Sequence, residues 1–131
     1  MAHADIGIIG GSGLYEIQEF QNRQFHTIDT PFGTPSDALV LGRMNGRDVA
    51  FLPRHGRGHK HLPSEINYRA NIWAMKELGV QWILSVSAVG SFKKELAPCD
   101  VVIADLHADT PDDRVTELIE ICNIIADKKN D

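Results

Sequence analysis

Short apolar runs, each closed by glycine, proline or serine, alternate with one longer stretch of helical periodicity, and that alternation predicts an α/β chain. Residues 6–9 form the first run, and Gly10-Gly11-Ser12-Gly13 follows it as a strand would feed a glycine-rich turn. Residues 14–20 are too short to assign as a helix, residues 25–28 predict a second strand, and Thr30-Pro31-Phe32-Gly33-Thr34-Pro35 reads as a loop. Residues 38–44 and 48–52 flank Asn45-Gly46, a strong local signal for a two-residue hairpin. Beyond them, Ile66, Ala70, Trp73, Ala74 and Leu78 recur at helical spacing, which predicts an amphipathic helix over 65–78, opened by Pro63-Ser64 with Ser64 as N-cap and closed by Gly79.

A further apolar run, 80–86, ends in Ser87-Ala88-Val89-Gly90-Ser91. A helix between two strands is a βαβ unit, which sets the end of this strand beside the end of the earlier one. Residues 95–99 read as a polar connection and 100–104 as another short strand. Thr110-Pro111-Asp112-Asp113 has the form of a helix start, and Val115, Leu118, Ile119, Cys122 and Ile125 supply the apolar stripe of a terminal helix ending at Lys128-Lys129. The expected architecture is an α/β fold with a mixed sheet and flanking helices, in a single domain over 1–131 whose residues 106–131 form a tail and helix.

Composition narrows the function. A net charge of −5 and an isoelectric point near 5.6 argue against general nucleic-acid or membrane binding. No apolar run reaches the roughly 20 residues of a membrane helix, and the first residues lack the pattern of a signal peptide, so a cytoplasmic protein is expected. Cys99 and Cys122 have no metal-ligand spacing and are expected to be free thiols, and His107 with Asp109 is read as loop chemistry with no metal.

Against this acidic background, residues 54–72 concentrate three arginines, one lysine and three histidines. The cluster reads either as a solvated basic loop or as an anion site. Three small-residue turns stand at three strand ends: residues 10–13, 54–58 and 87–90. Together they offer backbone amides, the hydroxyls of Ser12 and Ser87, the Arg54 guanidinium and the His55 imidazole, a set able to hold a phosphate dianion. The chain carries no Walker lysine, no Gly-x-Ser-x-Gly elbow and no Gly-x-Gly-x-x-Gly fingerprint.

At these same loops the sequence resembles a known family. The motifs at 8–14, 30–35, 54–59 (Arg54-His55-Gly56-Arg57-Gly58-His59), 63–74 and 87–91, in that order, resemble the methylthioadenosine phosphorylases of the purine nucleoside phosphorylase superfamily over residues 5–105. The resemblance implies a nucleoside-phosphorylase-like fold and phosphorolysis of 5'-methylthioadenosine or a related purine nucleoside to free base and 1-phosphosugar. It implies that Ser12, Arg54, His55, Ser87 and Ala88 bind phosphate, Ala88 through its amide, and that Val89 and Gly90 lie along the nucleoside. His59 is read as structural support for the site. Phosphate is then a co-substrate, no metal or other cofactor is implied, and an oligomer, commonly a trimer, is expected. Nothing after Ala104 matches the later half of the longer family members, so the chain reads as truncated; Asp109, Asp112 and Asp113 receive no role and no catalytic residue is assigned. Two rivals to an active enzyme stay open: a catalytically incomplete module that binds phosphate or nucleoside, and one half of a split enzyme.

Overall fold

The computed structural model describes residues 2–11 and 19–103. The chain divides into two compact units, Met1–Val89 and Gly90–Asp131. The first unit holds five strands, β1 (Ile6–Gly10), β2 (Gln21–His26), β3 (Leu39–Met44), β4 (Arg47–Pro53) and β5 (Trp82–Ser85), with one helix, α1 (Tyr68–Glu77). They form a mixed sheet in the order β2-β3-β4-β1-β5. The β2–β3 and β3–β4 pairs are antiparallel, whereas β1 runs parallel to both β4 and β5.

The hairpin forms where Asn45-Gly46 predicts it. Met44 pairs with Arg47, and Asn45 and Gly46 have φ of 50° and 77°. Two consecutive positive φ values define a type I′ turn, whose twist matches that of the strands it joins. Alternation along β3 and β4 then sorts side chains onto two faces. Leu39, Leu41, Ala50 and Leu52 join Ile9 beneath Ala74, Met75 and Leu78 of α1, while Val40, Val49 and Phe51 gather with Phe20 on the opposite face. The βαβ crossover from β4 through α1 to β5 passes over β1, so β4 and β5 are both neighbours of β1 and not of each other.

Four expectations shift. The second strand starts at Gln21, four residues before the expected 25. It is an edge strand whose polar residues are exposed on both faces, with a register irregularity between Gln21 and Gln24, so no apolar alternation marks it. The helix begins at Tyr68 and its N-cap is Asn67, whose side chain accepts from the Ala70 amide at 3.1 Å. Pro63–Glu65 forms a separate 3-10 turn in which the Leu62 amide donates to Glu65 Oε2 at 2.8 Å, so Ser64 does not cap α1. Strand β5 is shorter than 80–86: the Val80 amide is taken by Met75 O in the turn that closes α1, and Gln81 and Val86 flank the strand with single bonds to Asp5 O and Ile9 O. Residues 100–103 form no strand; a turn ties the Asp100 amide to Ala97 O at 3.1 Å just before them. The expected terminal helix, with His107, Asp109 and Cys122, lies outside the described residues.

Along β5, Trp82 and Leu84 pair with Ile6 and Ile8 and so share their face, yet they are 56% and 43% exposed. Among the described residues no helix is long and apolar enough to cross a membrane.

Candidate functional site

Because β4, β1 and β5 are parallel, their C-terminal ends share one edge of the sheet, the edge at which open α/β sheets place ligands. Gly10 pairs with Pro53 and Ile9 with Ser85. The ladder continues one residue further on both sides, with Arg54 N donating to Gly10 O at 2.9 Å and Val86 N to Ile9 O at 2.8 Å. Arg54 and Ser87 therefore stand on either side of the end of β1.

Arg54 is half-buried. Its Nη2 donates to Ser87 Oγ at 3.3 Å and its Nε to His55 Nε2 at 3.4 Å, both long contacts. Among the described residues no carboxylate pairs with Arg54, whereas Arg43 is paired with Asp48 and Arg57 with Asp37. A guanidinium that no carboxylate neutralises keeps its charge available for an incoming anion.

The basic loop is a run of turns after β4, with Gly56, Gly58 and His59 at φ of 72°, 76° and 53°. Gly56 is required by its surroundings as well as its backbone, since a Cβ there would stand 2.9 Å from Ser36 O and 3.3 Å from the His61 ring. His59 stacks on His55, with ring centroids 5.5 Å apart and planes 9° from parallel. On its other side His55 Nδ1 lies 3.0 Å from His61 O. A carbonyl only accepts, so Nδ1 carries the proton and Nε2 is left as the acceptor for Arg54.

Arg57 points away from this group. Its guanidinium sits over the Phe25 ring at 4.7 Å and is bound by Asp37 through Nε at 3.1 Å and Nη2 at 2.8 Å, and its backbone amide adds a third bond to Asp37 at 2.7 Å. These bonds hold the Asp37 carboxyl at about 2, below its ordinary 3.8. The Arg57 side chain contributes most, burial opposes it, and the amides of Arg57 and Ala38 add to the lowering.

Of the residues expected at a phosphate site, the structure brings His55 and Ser87 each into contact with Arg54. Ala88 follows directly, and its carbonyl accepts a long 3.4 Å bond from Ser87 Oγ. Val89 is 71% exposed, Gly90 falls in the second unit, and Ser12 lies outside the described residues. Among the described residues no three His, Cys, Asp or Glu side chains are grouped to hold a metal ion, and Cys99 is a free, exposed thiol.

Sequence reasoning missed the supports of the loop: Ser36, Asp37, His61 and Asn71. Asn71 is 1% exposed on α1, its Oδ1 accepting from Ser36 N at 2.8 Å and its Nδ2 donating to Ser36 Oγ at 3.0 Å. A signal for it exists in the sequence. Asn71 lies four residues before Met75 and seven before Leu78, both buried, so it is a polar residue on the buried stripe of the helix.

An α/β sheet with Arg54 at the shared ends of parallel strands defines the class, and comparison with known proteins places it more narrowly. The chain belongs to the phosphorylase superfamily, whose family model matches residues 5–122 and so runs past 105, where the resemblance read from the sequence ends. Among its relatives, the S-methyl-5'-thioadenosine phosphorylase of Hyperthermus butylicus is 54% identical over 112 residues, covering 86% of this chain and 41% of that protein. The one from Synechocystis is 53% identical over 116 residues, covering 88% of this chain and 36% of that protein. Among solved structures, a methylthioadenosine phosphorylase from an antarctic soil metagenomic library is similar with a TM-score of 0.72 and 58% identity, over 76% of this chain and 35% of that one. The methylthioadenosine phosphorylase of Schistosoma mansoni in complex with adenine follows at a TM-score of 0.65 and 47% identity, over 72% of this chain and 34% of that one. The chain thus spans about two fifths or less of the length of these relatives.

Proposed function

We propose that this chain carries the phosphate-holding loops of a purine nucleoside phosphorylase-type site, and that the reaction they serve is phosphorolysis of 5'-methylthioadenosine or a related purine nucleoside to free base and 1-phosphosugar. The observation that carries this reading is the contact of Arg54 with both His55 and Ser87 at the shared edge of β4, β1 and β5. A phosphate dianion seated there takes the long Arg54–Ser87 contact apart and accepts from both. In the same reading Ser12 and the Ala88 amide complete its shell, and Val89 and Gly90 lie along the nucleoside.

In phosphorolysis the glycosidic bond breaks with its electron pair leaving on the purine, a phosphate oxygen bonds to C1', and the proton that the purine takes up is balanced by the one that the hydrogen phosphate gives up. The sugar gains positive character on the way, so a fixed dianion beneath it both stabilises that charge and stands ready to add. Arg54 and the loop amides supply the fixing. Phosphate is a co-substrate, and the reading involves no metal or further cofactor. The names of the relatives support methylthioadenosine as the nucleoside. An oligomer, a trimer by resemblance, and a cytoplasmic location belong to the same proposal.

The share of the relatives' length that is matched, 41% and 36%, favours a second reading, in which these loops form a phosphate-binding module and turnover needs groups that this stretch does not carry. One experiment separates the two. The purified chain is incubated with methylthioadenosine, with and without phosphate, while adenine release is followed and phosphate binding is measured by calorimetry. Phosphate-dependent release supports the enzyme. Phosphate binding without release supports the module, and no phosphate binding overturns both.

A further inference from the structure

A continuous set of hydrogen bonds runs from the middle of α1 to the Arg54 guanidinium. The Asn71 side chain holds Ser36 through both its backbone amide and its hydroxyl, at 2.8 and 3.0 Å. Ser36 O in turn lies 3.2 Å from His61 Nε2, and His61 O lies 3.0 Å from His55 Nδ1. His55 Nε2 then receives Arg54 Nε, whose Nη2 reaches Ser87.

The donors and acceptors of this set permit one arrangement. Ser36 O can only accept, so His61 donates from Nε2; His61 O can only accept, so His55 donates from Nδ1. The remaining nitrogen of His55 is a bare lone pair that faces the Nε–H of Arg54. In the other tautomer, a His55 Nε2–H would meet Arg54 Nε–H donor against donor and turn the guanidinium out of its present plane. A buried asparagine at this position costs desolvation that an aliphatic residue would avoid, and here both ends of its amide are satisfied by Ser36.

We infer that His61 is a positioning residue for the anion site: its ring, anchored on Ser36 and through it on Asn71, sets the carbonyl that holds His55 in the Nδ1–H tautomer and so orients Arg54. This rests on the reading of Arg54 and His55 as phosphate-holding residues. Its geometric core, the tautomer, is measurable without phosphate. The logic is that of outer residues that fix a ligating imidazole.

The test uses long-range nitrogen-15 NMR of the imidazole rings in the whole chain at mildly alkaline pH, with His55 assigned by the signals lost in His55→Gln. In the unmodified chain His55 is expected to show a protonated Nδ1 and a bare Nε2. In His61→Ala the two tautomers should mix. His61→Gln, whose amide nitrogen reaches as far as an imidazole Nε2, should restore the single pattern.

Phosphate affinity measured by calorimetry should fall about fivefold in His61→Ala, the effect of one neutral hydrogen bond, and stay within about twofold in His61→Gln. A His55 protonated on Nε2 in the unmodified chain overturns the inference. So does an unchanged tautomer in a folded His61→Ala. If His61→Ala fails to fold, His61→Phe, which keeps a ring but cannot donate to Ser36 O, takes its place, and an unchanged tautomer there overturns the inference in the same way. If that chain shows the Nδ1–H pattern but binds no phosphate, the functional reading falls while the positioning geometry stands.

Discussion

Asp37 receives three hydrogen bonds from one residue, Arg57: its backbone amide at 2.7 Å, its Nε at 3.1 Å and its Nη2 at 2.8 Å. The Asp37 side chain is 12% exposed and that of Arg57 46%, so the carboxylate is sheltered while its partner is half in water. The pair fastens the basic loop to the segment that precedes β3.

This gives stability a pH dependence of definite sign. The Asp37 carboxyl sits at about 2 in the fold against an ordinary 3.8, so the folded state takes up its proton less readily than the unfolded chain. The stabilisation is fully present above about pH 4 and is lost as pH falls towards 2. Its size is about 1–2 kcal/mol once the half-exposed partner is discounted for solvent screening. Urea midpoints measured from pH 6 down to pH 2 should show a loss that is absent in Asp37→Asn. The same acid-side loss in both chains would assign it to other carboxylates.

The site residues should rank by charge. Arg54→Ala removes a charged donor and should weaken phosphate binding by about 10- to 150-fold, whereas Ser87→Ala removes a neutral one and should cost about 2- to 10-fold. Arg54→Lys keeps the charge without the planar fork and should fall between them. Calorimetry at constant, low ionic strength reads all three. Equal losses for Arg54→Ala and Ser87→Ala would mean that the anion is not seated on the guanidinium.

Local signals in the sequence carry far, and distant ones do not. The strand at 6–9 and the Asn45-Gly46 hairpin are legible because each is decided by neighbours in sequence, and α1 because Ala70, Ala74 and Leu78 mark its buried stripe. Strand β2 is not, since Gln21, Arg23 and Gln24 lie exposed at an edge and only pairing with β3 makes them a strand. The same holds at the site. Arg54, His55 and Ser87 stand out as small-turn residues at strand ends, but Asp37 finds Arg57 across 20 residues and Asn71 finds Ser36 across 35, choices that no local pattern encodes.

Gly56 and Gly58 differ in a way that substitution can read. Both have positive φ, 72° and 76°, so a Cβ at either costs about 1 kcal/mol of backbone strain. At Gly58 the Cβ meets open space, but at Gly56 it meets Ser36 O at 2.9 Å. Gly58→Ala should therefore lower stability by about 1 kcal/mol with little effect on phosphate affinity. Gly56→Ala should lose about 2–3 kcal/mol and weaken phosphate binding as well, because the loop has to move off Ser36. Denaturation midpoints and phosphate titrations measure the two effects separately, and equal behaviour of the two variants would show that the loop does not bear on Ser36.

Asn67 does two jobs at the start of α1. Its Oδ1 accepts from the Ala70 amide at 3.1 Å, and its Nδ2 donates to Phe32 O at 2.7 Å, tying the 30–35 loop to the helix. Asn67→Ala should cost about 1–2 kcal/mol, the upper part of the range for a lost N-cap, because the loop tie goes with it. Ser64 is exposed and caps nothing on α1, so Ser64→Ala should stay within about 0.5 kcal/mol. Asn67→Asp keeps the acceptor and loses the donor, so it should recover the cap and leave the loop tie broken. Thermal unfolding of the three variants orders them Ser64→Ala, Asn67→Asp, Asn67→Ala from most to least stable. An Asn67→Ala variant as stable as Ser64→Ala would move the start of the helix back to Ser64 and detach the 30–35 loop from it.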